Sequence, residues 1–193
     1  LRLQDGDSSQ QTISLSSTSS LGLAQIQNFK TGSASTADIF DYTSAVKSGD
    51  GTSVGAGTNL TLSTASAGSS SVTAISGNST GLVEFEDSDL STLGIDLDSS
   101  TSAAILDGVE TLLESRDSGT QLTGSSTQVT QGGTDTDMLL VFFEGGSEGS
   151  EAVVVRYQET GTSSNNTAAD YNDELSIVAI FDGDFDIVNA NIV

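Results

Sequence analysis

The feature that most constrains this chain's fold is a set of strand-length apolar runs near its end. Residues 138–143 read MLLVFF, 152–158 read AVVVRYQ and 175–181 read LSIVAIF. Each is rich in β-branched or aromatic residues and too short for a typical buried helix. Gly-, Ser-, Asn- and Asp-rich stretches separate them, and 187–193, IVNANIV, forms a fourth apolar run. Nothing upstream matches this apolar density, so these runs are expected to form a terminal antiparallel sheet that acts as the folding core.

The rest of the chain is thinner. Residues 12–15, TISL, alternate polar and apolar as a short strand should. Residues 37–42, ADIFDY, and 82–85, LVEF, read as further strands, and 59–62 and 71–75 as weak polar ones. Residues 48–57, SGDGTSVGAG, read as an ordinary loop, because a phosphate cradle needs the GxxxxGK[ST] pattern with its lysine. Glu84, Glu86, Asp87 and Asp89 read as a solvated acidic turn rather than a cation site.

The one clear helix spans 102–115, where Ile105, Leu106, Val109, Leu112 and Leu113 share a face. Thr101 or Ser102 supplies an N-cap hydroxyl, and Gly108 costs about 1 kcal/mol against Ala in a helix interior. The helix's apolar face is expected to pack on the terminal sheet. The fold class expected is therefore mainly β: a short β-roll or sandwich-like part, a terminal antiparallel sheet and one packed α-helix. The chain divides on this reading into 1–60, a β-roll-like end or cap, and 61–193, a β-rich domain carrying the helix and the terminus.

Charge narrows the function. The chain has 27 acidic residues against 5 basic, a net −22, and self-repulsion at that density opposes compaction. Nucleic acid and anionic membrane surfaces are poor partners for it. A hard divalent cation is a good one: calcium takes oxygen ligands from Asp carboxylates and turn carbonyls. Adaptation to salty water is the alternative account of the acidity. With no Cys and no His, zinc, haem, iron–sulfur and copper sites lose their usual ligands.

Catalysis is not expected. No His can activate a serine, and Lys30 and Lys47 lack the SxxK spacing. Carboxylate pairs abound, but in so acidic a chain some pair arises by chance. No charged-then-apolar leader and no apolar run of about 18 residues is present, so neither an N-terminal export signal nor membrane insertion is expected. The chain starts at Leu1 without Met and is expected to be the C-terminal piece of something longer.

Three Asp/Gly turns are the candidate cation sites. Asp182, Asp184 and Asp186 alternate in DGDFD, a spacing that can wrap oxygens around an ion, without the position-12 Glu of an EF-hand. Asp5 and Asp7 flank Gly6 in a second turn. Asp135 and Asp137 lie in GGTDTDMLL, which fits the calcium nonapeptide GGxGxDxUx at Gly132, Gly133, Asp137 and Leu139, with Asp135 where the third glycine belongs.

An aspartate-rich turn, a strand and an ending such as NANIV resemble the extreme C-terminus of bacterial proteins exported by type I secretion, many of them in the RTX calcium-binding group. Residues 25–32, QIQNFKTG, followed by ADIFDY, are similar to the segment that closes many RTX rolls; Asn28 and the insert SASTA depart from it. The resemblance implies calcium or turn-pinning roles for Asp38 and Asp41. It also implies an export signal in 173–193 read by the type I secretion apparatus, and a secreted or cell-surface location.

Together with the Ser/Thr/Gly-rich composition, it points to a non-catalytic module of a surface-layer or adhesin-like protein. Self-assembly or cell-surface polysaccharide would then be further partners. An accessory module of a secreted hydrolase and a carbohydrate- or cell-binding module stay open as alternatives; the scarcity of aromatic residues argues against the last.

Overall fold

The structure is a computed structural model. It describes residues 1–3, 9–15, 22–32, 35–42, 46–47, 53–54, 62–65, 81–86, 88–115, 137–145, 150–158, 175–183 and 192. In chain order the elements are β1 (Thr12–Leu15), β2 (Gln25–Gln27), β3 (Ile39–Tyr42), β4 (Val46–Lys47), β5 (Ser53–Val54), β6 (Leu62–Ala65) and β7 (Leu82–Phe85). A 3-10 turn (Leu90–Leu93), helix α1 (Ser102–Ser115), β8 (Asp137–Phe143), β9 (Ala152–Gln158) and β10 (Leu175–Asp182) follow. The protein is mainly β with one α-helix among the described residues.

The antiparallel ladder β8–β9–β10 is the centre of the sheet. Parallel strands flank it: β2 adds to β10, while β7 adds to β8 and carries β6. The short pair β4–β5 meets the start of β8 through Lys47 and Asp137. Strands from both the 1–60 and 61–193 stretches thus share one sheet. β7, α1 and β8 form a βαβ crossover, the connection that parallel neighbours require.

All seven residues of β8 are buried, because both faces of the sheet are covered. Met138, Leu140 and Phe142 join Val153, Val155 and Tyr157 against Ile105, Val109, Leu112 and Leu113 of α1. Leu139, Val141 and Phe143 face the opposite way, toward Ile13, Leu15, Phe40 and Tyr42 of the parallel pair β1–β3. The result is three layers, helix on sheet on a two-stranded ribbon. This two-sided burial explains why the terminal runs are continuously apolar rather than alternating.

Edge-on aromatic contacts seal the ribbon side: Phe181 lies 4.9 Å from Phe29 and 5.4 Å from Phe40, centroid to centroid. Ile192 is buried there too, bridged to Phe40. A β-bulge in β10 reverses the alternation of its faces. Ile177 pairs with Val155 and Ala179 with Val154, leaving Val178 extra. Val178 and Ala179 then both face the ribbon, and Ile180 returns to the helix side.

The helix begins where its cap predicts. Thr101 Oγ1 accepts from the Ala104 N–H at 3.3 Å, and the Thr101 carbonyl accepts from Ile105 at 3.0 Å. Before it, the 3-10 turn is capped by Asp89, which accepts from the Thr92 N–H at 3.2 Å, and closes on Gly94 at φ 76°, a left-handed conformation that suits glycine.

Two readings change here. Glu84 is not in a solvated turn: it is fully buried at the centre of β7, between Thr64 of β6 and Val141 of β8. Strands on both sides and layers on both faces remove the water that an isolated LVEF strand would keep. Within the Gly-rich stretch 48–57, Ser53 and Val54 form β5 against Val46 and Lys47.

Candidate functional site

At one end of the central sheet, acidic residues from neighbouring strands line up. Phe143 pairs with Ala152, and Ala152 with Phe181. The next residue outward in each strand is therefore Glu144, Glu151 and Asp182. The Glu144 N–H donates to the Glu151 carbonyl at 2.8 Å, extending the ladder one more step. Because Phe143, Ala152 and Phe181 face the ribbon, strand alternation turns the three acids toward the helix side. Gln27 of β2 continues the line, and its Nε2 donates to Asp182 Oδ2 at 2.7 Å.

The segment 94–100 closes over this line. Leu97 is its anchor, buried in the helix-side core, and its N–H donates to Glu144 Oε2 at 2.7 Å. Asp96 shapes the segment by accepting from the N–H groups of Asp98 and Ser99 at 2.9 and 3.1 Å. Asp98 then reaches the sheet, where Gln25 Nε2 donates to its carboxylate.

Crowding of like charges has a definite consequence at Glu151. Its pKa is raised to about 7, first by partial burial, then by the charges of Asp98, Glu144 and Asp182, with a side-chain hydrogen bond to Asp182 adding to the effect. Chemically, the line can hold a proton near neutrality and attract cations. Neighbouring strands about 4.8 Å apart set carboxylates side by side rather than around a centre. Accordingly, no group of three or more acidic side chains among the described residues is placed to hold a metal ion.

The nine aspartates singled out in the sequence fall into different places. Asp5, Asp7, Asp135, Asp184 and Asp186 lie outside the described residues. Asp182 belongs to the carboxylate line. Asp137 starts β8, at the opposite end of the sheet, roughly 20 Å away at about 3.3 Å per residue. There it forms a two-pronged pair with Arg156, Oδ1 to Nε at 2.6 Å and Oδ2 to Nη2 at 2.5 Å. That bond raises the Arg156 pKa above its usual value despite partial burial.

Asp38 is fully buried, and each carboxylate oxygen accepts a backbone N–H, Gln11 at 2.8 Å and Lys30 at 2.9 Å. It fastens the start of β3 to the segments that precede β1 and follow β2. Asp41 accepts from the Ser14 hydroxyl at 2.9 Å, directly across the β1–β3 pair. The structure therefore does not gather Asp38, Asp41, Asp137 and Asp182 into one site.

Glu144, Glu151 and Asp98 were not anticipated. A signal existed for the first two: once 138–143 and 152–158 are read as a hairpin, Glu144 and Glu151 stand at equal distance from its turn. Asp98 carries no such signal.

Fold and site thus define a class in outline, a mainly β layered protein with one packed helix and an acidic sheet end. No family model, curated protein or solved structure matches this chain.

Proposed function

We propose that this chain is a non-catalytic structural module of a secreted, surface-layer or adhesin-like protein, stabilised by calcium outside the cell and carrying a type I secretion signal within 173–193. The observation that carries the reading is the line Glu144–Glu151–Asp182 with Asp98 above it, where burial and then the crowding of like charges raise the Glu151 pKa to about 7. Set in a chain of net charge −22, such an edge gains from a divalent counter-charge. Low cytosolic calcium would leave the chain loose enough for export, and calcium outside would favour the fold by mass action. The secretion signal itself rests on the resemblance of 173–193 to type I termini.

Two measurements test the proposal. Thermal melts at pH 7.5 in EGTA, in millimolar calcium and in matched magnesium should show calcium raising stability by about 2.7 kcal/mol at a hundredfold excess over Kd. Equal midpoints in all three would leave salt adaptation as the account of the acidity. For export, residues 135–193 fused behind a signal-free passenger should be secreted by a host with a matching type I exporter. Deleting 185–193 should abolish secretion while the fusion still accumulates in the cell. Full secretion of the truncated fusion would end the export reading.

A further inference from the structure

We draw no further inference here: the strongest candidate outside the carboxylate line, the shallow groove between the 3-10 turn and α1 lined by Leu93, Ile95, Ala104, Asp107, Gly108 and Thr111, is a partly apolar face with nothing in the structure to show what covers it.

Discussion

Glu151 and Asp182 sit side by side at the ends of β9 and β10, one step beyond the Ala152–Phe181 pair. Partial burial of Glu151, and then the nearby charges of Asp98, Glu144 and Asp182, favour keeping a proton on its carboxyl. The folded protein therefore holds a proton on Glu151 up to about pH 7, whereas the unfolded chain releases it near 4.5. Between those values the folded state binds more protons, so stability falls as pH rises from about 4.5 to 7 and stays lowered above.

The full shift would correspond to roughly 3 kcal/mol at 1.36 kcal/mol per tenfold change in the ionisation constant; solvent screening of this partly exposed group reduces it to about 1–2 kcal/mol. Glu151→Gln cannot ionise and should be about 1 kcal/mol more stable than the parent at pH 8, with the difference vanishing near pH 5. Urea melts of both proteins between pH 5 and 8, in EGTA, check this. A difference that did not change with pH would show that Glu151 is ionised throughout.

The acidic line also marks where sequence reading stops. Strands β8, β9 and β10 and helix α1 were legible because their apolar residues are dense and periodic, and each element lies within one or two residues of its expected span. β4 and β5 were not, since two-residue strands in a Gly-rich stretch exist only through their pairing with each other and with Asp137. Glu84 was misplaced for a related reason: its burial is imposed by β6, β8 and the layers above and below, none of which LVEF encodes. Asp182 could be singled out from its turn, but its neighbours Glu144 and Glu151 flank the turn of the β8–β9 hairpin and are legible only once that hairpin is paired. Only the Phe143–Ala152 register brings them together.

Asp38 behaves as a staple, and its removal should cost accordingly. Asp38→Ala leaves the N–H groups of Gln11 and Lys30 without their carboxylate acceptor and should destabilise by about 2–3 kcal/mol; Asp38→Asn keeps one acceptor oxygen and should lose about half as much. Amide exchange at Gln11 and Lys30 should accelerate in both variants. The cost should be the same in EGTA and in calcium, because the bonds are to backbone. A loss for Asp38→Asn that appeared only with calcium present would instead make Asp38 a cation ligand.

Gly108 offers the sharpest test of helix packing. By intrinsic propensity, Ala in place of Gly within a helix gains about 1 kcal/mol, so Gly108→Ala would ordinarily be a stabilising change. Here a methyl group at 108 would meet Ile95 Cγ1 at 2.9 Å and Leu90 Cδ2 at 3.4 Å. The first contact is below any normal carbon separation, and Cγ1 is the stem of the isoleucine rather than its mobile end. Ile95 packs against the helix-side core, so moving it disturbs the junction between the 3-10 turn and α1. Overpacking of this kind costs about 1–3 kcal/mol. Gly108→Ala should therefore leave stability unchanged or lower it by up to about 2 kcal/mol. Ile95→Ala removes the obstructing stem, and in that background Gly108→Ala should recover its gain of about 1 kcal/mol. Chemical denaturation of the four proteins in this cycle measures the coupling directly. A gain of about 1 kcal/mol from Gly108→Ala with Ile95 intact would mean that α1 does not lie this close to the segment before it.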